Sequence, residues 1–584
     1  MEEPTLEIRH GGDRLAETLL ARGVRRLYTL CGGHISPILT ASKARGIRVI
    51  DVRDEASAVF AADAEGRLTG IPGVAAVTAG PGLTNAITAM QNARLAQSPL
   101  ILLCGGVPTA LRGRGALQDI DQRAAIAPHV KRAMQVRHVA DLQPALEEAF
   151  VTASSGVPGP VFLEAPVDLL YDEATIRGWY ADATSKGNSL PERAQRWYLQ
   201  RHVERLFAGS HQPHLAKSSL PSLPRASNVS LHAAIAALRR AERPLAIVGS
   251  QALSVPENAQ NIVDAIGSLG IPVYLSGMAR GLLGRDHPLQ MRHRRRDALR
   301  ESDCVLLAGV PCDFRLAYGG DIRRRSTTIA ANRSRADATL NRKPTVAAIG
   351  DAGAFLVNLS TEGAWNGAPY ADWIARLRER DAEREREISA TAMQRGEYVN
   401  PVSLLQAIDR FADERAIFVA DGGDFVATAS YVLRPRAPLS WLDPGVFGTL
   451  GVGAGFSLAS ALARPQNEIW ALFGDGALGY ALAEFDTFVR HRIGLIAVVG
   501  NDACWSQIAR EQVKMLGDDV GTVLARTAYH EVAAGFGALG ILVRTESEIE
   551  PALVRAREAA RSGVPVLVNV WLERSEFREG SISM

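Results

Sequence analysis

Short apolar runs, each closed by Gly, Pro or a polar cluster, alternate with stretches of helical periodicity, and this rhythm is set out three times along the chain. The first set is "RRLYTLCGG", "IRVIDV", "GVAAVTAG", "PLILLCGG" and "GPVFLEAPV". Strands buried on both faces read as unbroken apolar runs, and parallel strands need crossover helices, so the pattern predicts repeated β-α-β units. A second set starts near Leu231 with "PLAIVGSQA", "PVYLSGMARG", "DCVLLAGVPCDF" and "STTIAANRS", and a third near Asn400 with "AIFVADGGDF", "EIWALFGDGA", "LIAVVGNDA" and "PVLVNVWL". At 584 residues the chain exceeds what one core supports. The expectation is an α/β chain of three doubly wound parallel-sheet domains at 1–184, 231–365 and 400–584, the last with a C-terminal tail. Linkers are expected at 185–230, with some helix around "QRWYLQRHVERLF", and at 366–399, carrying the charged helical "WIARLRERDAEREREI".

Composition narrows the function class. Hydrophobic residues make up 47% and charged residues 22%, as in a soluble globular enzyme. A net charge of +2 supplies no field for nucleic acid. The five cysteines, Cys31, Cys104, Cys304, Cys312 and Cys504, show no CxxC spacing, which argues against a zinc site or disulfide framework and fits reduced thiols in a cytosol. No apolar run reaches the roughly 20 residues of a membrane span. The expected setting is cytoplasmic, with neither nucleic acid nor membrane as a partner.

The chemistry concentrates in "LFGDGALGYALAEFDTFVRHRIGLIAVVGNDACW", residues 472–505. Asp475 closes one apolar run and Asn501 closes the next, twenty-six positions later. Open parallel sheets bind ligands at the carboxyl ends of their strands, so the two side chains can converge. A carboxylate, an amide oxygen and a nearby backbone carbonyl make a hard-oxygen site suited to Mg²⁺ in company with phosphate. Gly474 and Gly476 allow close approach of backbone amides to a diphosphate, and a helix expected to begin near Tyr480 would add its positive end. The same residues also suit a plain Gly-Asp-Gly turn with Asn501 as a helix cap.

A GDG triplet followed by about 25 residues and an Asn, ending two strands, resembles the motif of thiamine diphosphate enzymes. The resemblance implies a glutamate on a separate pyrimidine-binding domain, after a strand and opening a helix; Glu55, in "IRVIDVRDEASAVF", holds that place. In these enzymes the acid meets N1′ of the aminopyrimidine and promotes loss of the thiazolium C2 proton. As a bare residue, Glu55 also reads as a first-turn acid favoured by the helix dipole. "VTAGPGLTNAITAM" is similar to the glycine-rich turn lining the pyrimidine, with Pro81 and Asn85 in the lining positions. "VADGGDFVATAS" is similar to the diphosphate-contacting segment, which implies Gly422, Gly423 and Asp424. "DPGVFGTLGVGAGFSLA" is similar to the stretch that bends the cofactor, with Gly448 and Leu450 beside the pyrimidine and Leu450 as an apolar wedge, or simply a core residue. The motif further implies Asp475, Asn501 and Ala503 as metal ligands, and Asp475, Gly476, Ala477, Asn501 and Ala503 along the diphosphate.

The resemblance spans the chain, with pyrimidine-binding, middle and diphosphate-binding domains in the order of the acetolactate synthase superfamily. Within it the chain resembles the acetolactate synthase-like 2-hydroxyacyl-CoA lyases in "GGHISP", "GSQAL", "GMARGLLGR", "CDFRLAYG", "WLDPGVFGTLGVGAGF", "GNDACWSQIAREQV" and "EFREGSI". Two departures point away from pyruvate condensation: Asp54 stands where acetolactate synthases carry His, and Arg510 and Glu511 where they carry Trp-Glu. "TLCGGHISPILTA" and "GALQDIDQRAAIAP" look like segments of benzaldehyde lyase, which implies His34 and Gln118 over the thiazolium as proton shuttle and oxygen anchor. A turn-capping histidine and a surface amide are the plainer readings of that pair.

The implied reaction is cleavage, or in reverse formation, of the C1–C2 bond of a 2-hydroxyacyl-CoA, giving formyl-CoA and an aldehyde or ketone. The alternative is a carboligase on free aldehydes or 2-oxoacids. The family also implies thiamine diphosphate and Mg²⁺, a homodimer or homotetramer as a dimer of dimers, and ADP, or less favourably FAD, in the middle domain. Arginines 294–296 and 323–325 could meet nucleotide phosphates or be solvated surface charge, and the tail "SEFREGSISM" could close over substrate.

Overall fold

The computed structural model describes residues 9–183, 189–210, 219, 222–363, 365 and 370–579. The chain falls into two compact units, Met1–Ser222 and Leu223–Met584. The first holds one sheet and the second holds two.

The first sheet contains β1 (Arg26–Thr29), β2 (Arg48–Asp51), β3 (Gly73–Val77), β4 (Leu100–Gly106), β5 (Arg132–Gln135) and β6 (Pro160–Pro166) in the order 2-1-3-4-6-5, all parallel. The second contains β7 (Pro244–Val248), β8 (Val273–Leu275), β9 (Gln290–Met291), β10 (Cys304–Ala308), β11 (Thr327–Asn332) and β12 (Val346–Ile349) in the order 12-11-10-7-8-9. The third contains β13 (Ile417–Asp421), β14 (Trp441–Leu442), β15 (Ile469–Gly474), β16 (Ile496–Asn501), β17 (Leu539–Val543) and β18 (Val566–Trp571) in the order 14-13-15-16-18-17. The first and third sheets therefore share one topology. Counted from its own first strand, the middle sheet reads 6-5-4-1-2-3, the dinucleotide-binding order taken from its other edge.

The three parallel sheets carry out the expected fold class, and the residues explain why. Every residue of β4 and β6 is buried, so apolar side chains are needed on both faces. Each sheet has its own core. Val74, Leu103 and Leu163 fill the first, Ile247, Val305 and Leu307 the second, and Phe418, Leu472, Val498 and Val568 the third.

The stretches expected as linkers hold ordered helices. Helices Leu190–Leu206 and Asn228–Arg240 occupy part of 185–230; residues 185–188, 211–218, 220 and 221 of it lie outside the described residues. In the second stretch, the helix Ala371–Ala392 runs for 22 residues. Its charged sequence hides an apolar seam. Trp373 and Leu377 enter the middle core, and Ile388 and Ala392 enter the third, so the helix is a shared strut. The helix expected near Tyr480 begins earlier, as the short turn Asp475–Leu478, and the next starts at Glu484. In the tail, Phe577 packs on the third core and lies edge-on to Tyr431 at 6.2 Å; residues 580–584 are outside the described residues. No helix among the described residues is long and apolar enough to cross a membrane.

Candidate active site

In the first unit, the strand ends gather Glu55, Pro81, Asn85, His34 and Gln118 along one edge of the sheet. After β2, Asp54 caps the helix Glu55–Thr69, its carboxylate accepting from Ala56 N at 2.7 Å. That cap sets Glu55 as the first helical residue, and Glu55 is only 7% exposed. The residue standing where acetolactate synthases carry His therefore has a structural task. After β3, Pro81 opens the helix Pro81–Leu95, and one turn in, Asn85 Nδ2 donates to Glu55 Oε2 at 3.1 Å. Gly82 sits close by, since a Cβ there would lie 3.5 Å from Glu55 Oε1.

Gly80 has φ +64, and a Cβ on it would meet the Gln118 carbonyl at 2.8 Å, so the loop carrying Gln118 presses onto the pyrimidine-type turn. Gln118 itself is half-buried with φ +67, a left-handed conformation uncommon for a side-chain-bearing residue. His34, in the loop after β1, pairs its Nδ1 with Thr78 Oγ1 at 3.0 Å, and burial pushes its imidazole pKa down.

Sequence reasoning missed three residues of this edge. Gln122 is 3% exposed; its Oε1 accepts from Gly80 N at 3.1 Å and its Nε2 donates to the Gly105 carbonyl at 3.0 Å, tying the turn to β4. Thr78 holds His34. Glu164 is buried on β6, burial pushes its carboxyl pKa up, and Arg112 and Gln135 bind it. A lone Glu inside "GPVFLEAPV" was the legible signal for Glu164; nothing local marks the other two.

In the second unit, β13, β15 and β16 end side by side at the point where the strand order reverses. Gly422 follows β13 with φ +145, and a Cβ there would lie 2.9 Å from Gly474 N. Gly423 caps the helix Asp424–Val432, with Gln507 Oε1 at 2.8 Å from a notional Cβ. Only glycine lets this backbone approach its neighbours, and the result is a shallow cradle. Asp424 opens the helix and pairs with Arg510 Nη2 at 2.6 Å, which gives Arg510 a place in the same wall. Gly448 (φ +65) and Gly451 (φ +92) bracket Leu450, which is half-buried rather than fully in the core.

Asp475 is 3% exposed and Asn501 0% exposed. They follow paired positions, since Gly474 lies beside Gly500 in the register. Asp475 Oδ1 accepts from Gly476 N at 2.8 Å, while Asp475 Oδ2 and Asn501 Oδ1 are buried with no hydrogen-bond partner among the described residues. Burial, with the nearby Asp502 carboxylate second, raises the Asp475 pKa to about 7. Two buried oxygens at neighbouring strand ends, neither with a hydrogen-bond partner among the described residues, suit a cation. Ala503 has φ +56, and its carbonyl accepts from Leu524 N at 2.9 Å with a lone pair to spare. Ala477 is buried within the Asp475–Leu478 turn, and a Cβ on Gly476 would lie 2.4 Å from the Trp505 ring. The donor set, all oxygen and beside a glycine cradle, fits Mg²⁺ and a diphosphate.

The arginine runs of the middle sheet's domain are mostly surface charge, and two of the six pair with carboxylates. Arg294 meets Glu387 and Arg296 meets Asp321, each at 3.0 Å, and Arg323, Arg324 and Arg325 are exposed. Arg295 differs: its Nη2 donates to the Arg315 carbonyl at 2.6 Å. Arg280 donates to the Ser430 carbonyl at 2.6 Å. Among the described residues neither Arg280 nor Arg295 pairs with a carboxylate.

Residues 9–125 match the thiamine pyrophosphate enzyme N-terminal TPP binding domain, residues 231–359 its central domain and residues 421–570 its C-terminal TPP binding domain. The chain is 49% identical to "2-hydroxyacyl-CoA lyase 2" of Danio rerio, covering 99% of this chain and 94% of that protein. It is 48% identical to the protein of the same name in Homo sapiens, over 99% and 92%. It is 33% identical to "Acetolactate synthase large subunit IlvG" of Mycobacterium tuberculosis, over 97% and 96%.

Proposed function

The chain belongs to the thiamine pyrophosphate enzyme family, and from that premise we propose that it is a thiamine diphosphate-dependent 2-hydroxyacyl-CoA lyase, a carbon–carbon lyase acting on acyl-CoA. The observation that carries this reading is 49% identity to such a lyase over 99% of the chain. The products are formyl-CoA and an aldehyde or ketone.

When bound, thiamine diphosphate supplies the carbon nucleophile and the electron sink for breaking the C1–C2 bond. Asp475, Asn501 and the Ala503 carbonyl would hold Mg²⁺. Gly422, Gly423, Asp424, Gly476 and Ala477 would border the diphosphate, and Pro81, Asn85, Gly448 and Leu450 the pyrimidine. Glu55 would share a proton with the pyrimidine N1′, with Asn85 fixing its other oxygen. His34 is neutral at neutral pH because burial lowers its pKa, so it can take the proton of the substrate 2-hydroxyl. Thr78 engages Nδ1 and leaves Nε2 for that transfer. The Gln118 amide would donate to the oxygen of the thioester carbonyl, where negative charge gathers when a nucleophile adds to that carbonyl.

We further propose that Glu55 of one subunit and Asp475 of another complete each site, so that a homodimer is the smallest active form and a homotetramer a dimer of dimers. The dinucleotide-type strand order, and Arg280 and Arg295, which donate to backbone carbonyls and not to carboxylates, support a nucleotide, ADP before FAD, in the middle domain. A cytoplasmic setting fits five cysteines that are all free, four of them buried.

Incubating the protein, loaded with thiamine diphosphate and Mg²⁺, with a series of 2-hydroxyacyl-CoAs tests the reading. Release of formyl-CoA is the expected result. Acetolactate from pyruvate, without any formyl-CoA, would move the assignment to the carboligases.

A further inference from the structure

The Asn501 side chain reaches the end of β16 as an amide, and an amide can present either oxygen or nitrogen. Its choice is set by a neighbour on the next strand. Asn569, on β18, is 0% exposed, two register steps before the partner of Asn501. Both amides place their nitrogen against one atom, the carbonyl oxygen of Thr527, at 3.3 Å from Asn501 Nδ2 and 3.0 Å from Asn569 Nδ2. A carbonyl oxygen only accepts, so each amide must present its NH₂ there. That leaves Asn569 Oδ1 facing Asn501 Nδ2, which donates to it at 3.2 Å. The second hydrogen on Asn569 Nδ2 points to His530 Nδ1 at 3.4 Å, a nitrogen able to accept.

Both hydrogens of Asn501 are thereby used, and its Oδ1 is turned to the other side, where it finds no donor among the described residues. A flipped Asn501 would set its oxygen against two acceptors, Thr527 O and Asn569 Oδ1, in a buried site where such contacts are costly.

We propose that Asn569 is a positioning residue for the divalent cation: together with the Thr527 carbonyl it locks the Asn501 amide with its oxygen toward the cation. This rests on the reading of Asp475 and Asn501 as cation ligands. Groups that orient a metal ligand typically change affinity 10–100-fold when removed.

The test is Mn²⁺ binding, followed by electron paramagnetic resonance in the presence of thiamine diphosphate, together with the unfolding temperature of the metal-free protein. Asn569→Leu keeps the branched side-chain skeleton but removes the acceptor for Asn501. We expect at least a tenfold rise in the Mn²⁺ concentration for half-saturation, out of proportion to the fall in metal-free unfolding temperature when set beside Asn569→Asp. Asn569→Asp keeps an acceptor for Asn501 but sets a carboxylate against Thr527 O. It should bind Mn²⁺ within about threefold of the parent while unfolding at lower temperature. A residue that only supports the fold would lose affinity and stability in step in both variants, and that result overturns the proposal, as does parental Mn²⁺ binding by Asn569→Leu. If Asn569→Leu does not fold, Asn569→Asp decides alone: tight binding in a destabilised protein supports the lock, and weak binding ends it. Failure of the parent to bind Mn²⁺ would instead remove the cation site itself.

Discussion

Asp475 meets two opposed demands. As the proposed cation ligand it must be charged, yet burial and the Asp502 carboxylate raise its pKa from 3.8 to about 7 in the metal-free protein. A raised folded-state pKa leaves stability intact below the unfolded value and takes it away as pH rises through the folded one. Asp475→Asn should therefore unfold at a higher temperature than the parent at pH 8 without metal, and at nearly the same temperature at pH 4. The same variant should need at least a hundredfold more Mg²⁺ to retain thiamine diphosphate, measured by equilibrium dialysis. Stability gained and cofactor lost in one substitution would separate a functional carboxylate from a structural one. Glu55 is a different case, because its acidity rather than its charge on a metal is at issue. Glu55→Gln can keep the hydrogen bond from Asn85 to its remaining oxygen, so the cofactor should still bind within a few-fold. Lyase turnover should fall at least 100-fold in steady-state assays, the scale of lost proton transfer.

Between elements, the decisive contacts join strand ends to helix starts. Asp421 closes β13 and accepts from Gly451 N at 3.1 Å and Gly453 N at 2.8 Å, pinning the start of the helix Val452–Ala463. It is 0% exposed, and burial raises its pKa to about 7. The parent should thus lose stability between roughly pH 4 and pH 7, by up to about 4 kcal/mol from this one group. Asp421→Asn should remove that share of the slope, read from guanidinium unfolding at pH 5 and pH 8. A second contact lies between the Asp475–Leu478 turn and the loop after β16. A Cβ on Gly476 would lie 2.4 Å from the Trp505 ring, so Gly476→Ala must push that ring away. The expected cost is about 1–3 kcal/mol of stability, as for other overpacked sites, with weaker Mg²⁺ binding because Trp505 is two residues from Ala503. Calorimetry of the apo and loaded forms checks both effects.

For the whole molecule, the proposed sharing of a site between subunits has a direct consequence. Glu55→Gln and Asp475→Asn are each expected to be inactive alone. Refolded together, mixed dimers would contain one doubly damaged site and one intact site, so up to about a quarter of parental activity should return if subunits exchange at random. No recovery would place both residues of a site in one chain. Much of this design is legible in the amino-acid order. Apolar runs between turn residues predict parallel sheets, because a strand buried on both faces has no room for polar alternation. Asp475 and Asn501 are readable for a similar reason, since each closes an apolar run, whereas Glu55, the first residue of the helix after β2, stands out only through the family resemblance. Strand order is not readable in this way. The middle sheet takes the dinucleotide-binding order and its neighbours another, because the direction of each crossover depends on packing between whole elements. The partner that orients Asn501 is equally hidden. Asn569 lies 68 positions away, and only the pairing of β16 with β18 brings its amide alongside. Periodicity and caps are local and are written in the chain; which way the Asn501 amide turns is settled by hydrogen bonds between distant strands, and those exist only once the sheet has formed.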